Sequence, residues 1–203
     1  MNKCLLALLC VLASPVWAQS VPPGGVTKVQ PIITPDALKG GQSTPPLAGF
    51  ERAAEGGDAN AQYQMGMAYL QGDVVKKDLA QAAQWFAMAA DQGEDRAQVR
   101  LGYLLEFGRG VKRNAAAAAQ LYEQSALQGN TEAQARYAQC LERGSGVKKD
   151  LTKAYAFYLL GDRGGNEQAN KAVKRLALTL TEAQKGKAQE MASKVQSTAG
   201  RRY

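Results

Sequence analysis

The 203-residue chain contains no histidine. Its absence removes the commonest general base, the Ser–His and Cys–His nucleophile pairs and the most frequent metal ligand. No glycine-rich phosphate loop ends in Lys-Ser or Lys-Thr, and no serine is flanked as in a nucleophile elbow. Enzymes can work without histidine, but the sequence offers no constellation for catalysis, and neither a cofactor nor a metal is expected. Proline is missing after Pro46. More than 150 residues rich in Ala, Gln, Leu and Lys follow it, which is helix-forming composition. No apolar run beyond the first few residues is long enough to matter for a membrane, and the run from Leu5 to Leu12 is far too short to span one.

That early run follows Lys3 and precedes Val16-Trp17-Ala18, the three parts of a secretory signal peptide over residues 1–18, with the mature chain beginning at Gln19. Leu9 stands before Cys10 where a lipoprotein signal carries a small residue, so lipidation is not the expected processing. A periplasmic location is therefore the expectation. Cys4 and Cys10 leave with the signal, and Cys140 is the one mature cysteine. It cannot form an internal disulfide; its equivalents one and two repeats earlier, Leu104 and Ala68, suggest a buried thiol, with intermolecular pairing as the alternative. Loss of Lys3 leaves 24 basic and 18 acidic residues, net +6. Export removes nucleic acid as a partner, while anionic lipid, cell-wall polymer or an acidic protein stay open beside a merely solvated surface.

Six of the seven prolines fall between Pro22 and Pro46, so residues 19–46 read as a disordered Pro-rich tether. Beyond it a 36-residue period appears. Gly57, Gly93, Gly129 and Gly165 form one column, each followed four residues later by an alanine and preceded seven earlier by an aromatic: Phe50, Phe86, Tyr122 and Tyr158. Gly72, Gly108 and Gly144 form another, with Val75, Val111 and Val147 three residues on. Such a register means duplicated units that stack. Each unit predicts two short helices. Asp58, Asp95 and Thr131 open the first, the second glycine closes it in a left-handed conformation, and Asp78, Asn114 and Asp150 cap the second. Ala97, Leu101, Leu104 and Leu105 give the buried stripe of one copy, and Gly66, Gly102 and Ala138 the small residues of a close seam. The predicted array runs over residues 47–197: a half-repeat cap at 47–57 carrying Phe50, Ala53 and Ala54, repeats at 58–93, 94–129 and 130–165, and a degenerate repeat with capping helix at 166–197. Residues 198–203 form a tail. Thr181 is the expected cap of the last helix, and Ala183, Ala188, Met191, Ala192 and Val195 its apolar face.

The segment Gly57-Asp58, Ala61-Gln62-Tyr63, Gly66, Tyr69, Gly72, Val75, Asp78, Ala82, Trp85-Phe86, Ala89-Ala90 and Gly93 resembles a Sel-one-like repeat, a relative of the tetratricopeptide repeat. Gly108-Arg109-Gly110-Val111 and Gly144-Ser145-Gly146-Val147 continue the pattern, which Asp73-Val74 departs from in the first copy. The resemblance implies an all-α, right-handed solenoid acting as a protein-interaction adaptor, often exported. Cysteine-rich relatives are linked to β-lactams, but the regular cysteine pairs are absent here. Three functions stay open: an adaptor, an immunity protein that neutralises an envelope-acting toxic effector, and a cell-wall or β-lactam-directed enzyme, the non-enzymatic adaptor being the reading the residues favour.

The first helices of such solenoids usually line the concave surface. Their non-core face presents Arg96, Arg100, Tyr103 and Phe107 in the second repeat, at steps of four, three and four. One repeat on stand Glu132, Arg136, Gln139 and Arg143. Arginine and aromatics together are residue types enriched at interface hot spots, so Arg96, Arg100, Tyr103, Phe107, Arg136, Gln139 and Arg143 form the candidate partner-binding set. The turns add a basic edge, Lys76, Lys77, Lys112, Arg113, Lys148 and Lys149, either a solvated turn feature or a contact for an anionic envelope surface.

Overall fold

The structure is a computed structural model that describes residues 45–199, all helical apart from turns. The expected signal peptide, most of the tether and the final residues lie outside the described residues. Nine helices follow in order among them: α1 (Pro45–Glu55), α2 (Ala59–Gln71), α3 (Leu79–Asp91), α4 (Asp95–Phe107), α5 (Ala115–Leu127), α6 (Thr131–Arg143), α7 (Leu151–Arg163), α8 (Glu167–Ala177) and α9 (Glu182–Ala199). Each packs on its sequence neighbours from α1 to α8, while α9 passes over to lie on α7 and touch α5. Helices of thirteen residues are marginal alone, and here each is held by the helices before and after it. This is an α-solenoid.

The period is built into the backbone. Gly72, Gly108 and Gly144 end α2, α4 and α6 with φ of 84°, 67° and 73°, each donating its N–H to the carbonyl four residues back. The chain then turns and closes by Asp78 N–H to Tyr69 O (3.0 Å), Asn114 N–H to Leu105 O (2.9 Å) and Asp150 N–H to Leu141 O (2.9 Å). The same three residues cap α3, α5 and α7 through their side chains. Val75, Val111 and Val147 are half-buried against the core beneath these turns. Asp58 caps α2 as expected, accepting from the Ala61 N–H at 2.6 Å, but the caps of α4 and α6 differ from the expectation. Asn130, not Thr131, caps α6, and Glu94 occupies the cap position of α4 without a side-chain bond, leaving Asp95 as the first helical residue. Asp95 instead accepts from the Asn130 carboxamide at 2.8 Å, so an acid beside a cap position ties one repeat to the next.

Phe86, Tyr122 and Tyr158 are at most 2% exposed and stack down the interior. Gly66 and Gly102 make room for the first two: a Cβ there would lie 2.6 Å from the Phe86 ring and 2.7 Å from the Tyr122 ring. Each tyrosine also finds a carboxylate at the end of the helix before it, Tyr122 donating to Glu106 at 3.0 Å and Tyr158 to Glu142 at 2.9 Å. Phe50, the first of the column, is 44% exposed, and Ala53 is exposed too; only Ala54 of the expected α1 contacts is buried. Ala97 and Leu104 are buried as expected, whereas Leu101 and Leu105 are half-buried. At the other end Thr181 and Gln184 form a reciprocal capping box for α9 (3.0 and 3.3 Å). Ala188 and Ala192 are buried with Met191 and Val195 packed beside them, but Ala183, in the first turn of α9, is exposed.

A second lattice runs through the stack. Gln62, Gln98 and Gln134 are buried and donate their Nε2 to the carbonyl eight residues earlier: Ala54 (3.1 Å), Ala90 (3.4 Å) and Ala126 (3.2 Å). Those carbonyls belong to the last turn of the preceding helix, which has no intrahelical donor for them. The glutamines thus add a side-chain donor to carbonyls that already accept from the turn glycines Gly57, Gly93 and Gly129, and so join one helix to the next.

Candidate functional site

Helices α2, α4, α6 and α8 present one repeated exposed face, and the predicted residues are brought together on it in two groups. Arg96 lies over the Tyr63 ring at 4.5 Å, donates to Asn60 Oδ1 at 3.0 Å across the repeat boundary and pairs with Glu94 at 2.5 Å. Arg100 and Arg136 share a single carboxylate, Glu132, at 3.4 and 3.7 Å. The Arg136 guanidinium also sits 5.3 Å from the Tyr103 ring centre, on whose edge Phe107 packs at 4.8 Å. Phe107 is 51% exposed, so it belongs to this surface and not to the core under the turn.

The helical steps explain this assembly. Tyr103 and Phe107 are one turn apart on α4, and Glu132 and Arg136 one turn apart on α6, so packing α4 beside α6 interleaves the four. Arg109, which the basic-edge pattern places in the turn, joins them: its guanidinium is 5.2 Å from Tyr103 and 6.0 Å from Phe107. The αL backbone at Gly108 redirects the chain just enough to bring it back over its own helix.

Between α6 and α8 the face opens into two grooves. One of about 380 Å³ is lined by Glu132, Ala135, Arg136, Asn166, Glu167 and Gln168. The other, about 400 Å³, is lined by Gln139, Glu142, Arg143, Tyr158, Gln168, Lys171, Ala172 and Arg175. Gln139 reaches Gln168 only at 3.5 Å, and Arg143 is exposed at the rim. Gln168, Lys171 and Arg175 were not among the predicted residues; Gln168 and Arg175 stand one repeat after Glu132 and Gln139 on α8, whose degenerate repeat hides the register, while Lys171 stands one repeat after the buried Ala135. Arg175 grips Glu142 with two bonds of 2.6 and 3.0 Å. That grip, with the Tyr158 hydroxyl, holds the Glu142 carboxyl below its usual range despite partial burial.

Chemically the face is rich in guanidinium groups. One carboxylate between Arg100 and Arg136, with Arg109 beside half-buried Tyr103 and exposed Phe107, leaves an excess of guanidinium next to apolar area. Such a patch suits carboxylate side chains carried by a polypeptide. Among the described residues no cluster of His, Cys, Asp and Glu could hold a metal ion. Cys140, the one cysteine among the described residues, is 3% exposed, and burial pushes it up to about 11, far from a reactive thiolate.

The six residues of the basic edge, Lys76, Lys77, Lys112, Arg113, Lys148 and Lys149, are all exposed. Its second members have a structural task. Lys77, Arg113 and Lys149 lay their Cβ against the glycine that ends the first helix, and Arg113 also donates to the Glu106 carbonyl at 3.0 Å. A further cluster carries no period at all. Lys153 on α7 contacts Glu123 at 2.9 Å and the Tyr137 hydroxyl at 2.8 Å, with Tyr137 set edge-on to Phe157. The equivalents of Lys153, Ala117 and Gln81, give no sequence signal for it.

Comparison with known proteins bears on what this face is. The Sel1 repeat family matches residues 59–94, 95–130 and 131–161. Among solved structures, a Sel1 repeat protein from Oxalobacter formigenes is 33% identical with a TM-score of 0.60, over 65% of this chain and 99% of that one. A protective antigen present in uropathogenic Escherichia coli strains, displaying an SLR fold, is 31% identical with a TM-score of 0.64 over 75% of this chain. The match covers 35% of the antigen, about a third of its length. No curated protein matches the sequence. Repeat matches, glycine-closed helix pairs and the two structural relatives agree: this chain belongs to the Sel1 repeat family.

Proposed function

We propose that the chain is an exported, non-catalytic adaptor that holds an acidic segment of a partner protein on the concave face formed by α4, α6 and α8. Sel1 repeat proteins are in general protein-interaction scaffolds, typically without catalysis. The observation that carries the finer reading is the sharing of Glu132 by Arg100 and Arg136 beside Tyr103 and Phe107. A partner carboxylate can take the charge that Glu132 leaves unmatched, while the aromatic pair supplies apolar contact. The signal-peptide pattern of residues 1–18 supports export to the periplasm.

The test uses the full chain as bait on envelope extract, beside an Arg100→Glu/Arg136→Glu variant whose helicity is checked by circular dichroism. The expected result is a specific protein retained by the first and lost by the second, with retention falling as salt rises. Undiminished capture by the folded double variant would remove this face from consideration.

A further inference from the structure

The turns that join first to second helices all open on one edge of the stack. Gly110 lies against Leu79 and Gly146 against Ala115, so each of these turns rests on the start of the second helix of the repeat before it. The end of α8 reaches the same edge, because Arg175 in its last turn grips Glu142 in the last turn of α6. Cations follow this edge through three repeats: Lys76 and Lys77, Lys112 and Arg113 with Arg109 beside them, then Lys148 and Lys149, every one exposed. Three acids, Asp73, Asp78 and Asp150, stand in the same turns against these seven cations, and two of the three are engaged in capping α3 and α7. The edge also carries apolar side chains that the core does not take up. Val74, in the first turn, is 46% exposed, and Leu178, at the end of α8, is 88% exposed although Leu176 and Leu180 on either side are buried. Phe107, the last residue of α4, borders it.

Cations strung over three repeats do not converge on a point. Successive pairs are set apart by at least the spacing of packed helices, about 8 Å. A single small anion can therefore meet only one pair, whereas a flat array of phosphates meets them all. Charge alone would suit any extended polyanion, and the leucine and valine decide between the choices. A soluble polyanion leaves water around an exposed leucine, while a bilayer offers apolar chains directly beneath its phosphates. We infer that this edge is a membrane-facing surface, which lays its lysines and arginines on the phosphates of an anionic bilayer while Leu178 and Val74 enter the interface below them. Each cation held near such a surface strengthens binding about five-fold, and salt screens the attraction. The edge lies at the ends of the helices, whereas Arg100, Glu132 and Arg136 lie along the sides of α4 and α6, so seating on lipid does not use the partner face described above.

The experiment is co-sedimentation of the chain without its signal peptide, residues 19–203, with vesicles of equal parts phosphatidylglycerol and phosphatidylcholine, beside vesicles of phosphatidylcholine alone. Binding is expected to the first and not to the second, and it should weaken as salt rises. Lys112→Glu/Lys148→Glu, at two exposed positions, should lower the affinity for the anionic vesicles by at least about ten-fold. Arg100→Glu/Arg136→Glu changes the net charge by the same amount on the partner face and should lower it far less. Leu178→Ser keeps every charge and alters a side chain already outside the core, and it should lower the affinity by at least about three-fold. Circular dichroism checks that each variant keeps its helices. No binding to the anionic vesicles, or equal losses from the two charge-reversed pairs, overturns the edge as the contact. An affinity that Leu178→Ser leaves unchanged makes phosphate charge the whole attraction and overturns the bilayer as the occupant.

Discussion

Single residues in this chain are decided by what lies one repeat away. Glu142 is the clearest case, since it accepts from Tyr158 in its own repeat and from Arg175 in the next. The Arg175 hydrogen bonds are the main reason its carboxyl is held low, with Tyr158 adding to them and burial opposing. A carboxyl whose folded value is depressed contributes stability that is fully present above its unfolded value, about 4.3, and disappears as pH falls through the lower folded one. Glu142→Gln should therefore leave a shallower loss of urea midpoint between about pH 5 and pH 3 than the parent shows. Parallel acid limbs for the two proteins would mean that the Arg175 grip contributes nothing to folding. Neither partner of Glu142 is legible from sequence as such: Tyr158 reads as core aromatic, and Arg175 stands in a repeat whose turn pattern has gone. The glutamines at 62, 98 and 134 recur at the full period, yet a polar residue at helical spacing gives no sign of burial until the carbonyl eight residues back is seen beside it.

At the level of the element, the turn between paired helices explains a departure visible in the sequence. Gly110 and Gly146 have φ of 71° and 73°, and a Cβ on them would lie 2.4 Å from Leu79 C and 2.1 Å from Ala115 O. Each is thus a contact between one repeat's turn and the second helix of the repeat before. The first copy has Val74 there, 46% exposed, and the matching contact would fall at position 43, before α1 begins at Pro45. Gly110→Ala should cost about 1–2 kcal/mol for the left-handed backbone, plus about 1–3 kcal/mol of overpacking. Val74→Gly, on an open surface, should change stability by less than about 1 kcal/mol. Denaturation midpoints of the two variants check this, and similar losses would show that the second glycine serves the turn alone. Helix boundaries were readable here because glycine marks each one. The caps of α4 and α6 were not, because Glu94-Asp95 and Asn130-Thr131 each place two capping residue types side by side, and only the backbone shows which one precedes the first helical residue.

For the whole stack, stability is the sum of repeats and the interfaces between neighbours, so each end matters most to what lies next to it. The two ends are unequal. At the start, α1 buries Ala54 but leaves Phe50 exposed, and its main packing is on α2. At the finish, α9 buries Ala188 and Ala192, places Val195 over α7, and ties Arg163 to Gln196. Deleting residues 181–203 removes this cover from α7 and leaves α2 and α3 untouched. Native-state hydrogen exchange should then show protection falling by at least about ten-fold in α6, α7 and α8, with little change in α2 and α3. A uniform fall along the chain would instead make the array a single cooperative unit, and the exposed face of α4 and α6 could not adjust to a partner without loosening every other repeat. A graded fall leaves Arg100, Tyr103 and Arg136 on the middle of the stack, where neighbours on both sides hold them in position for binding.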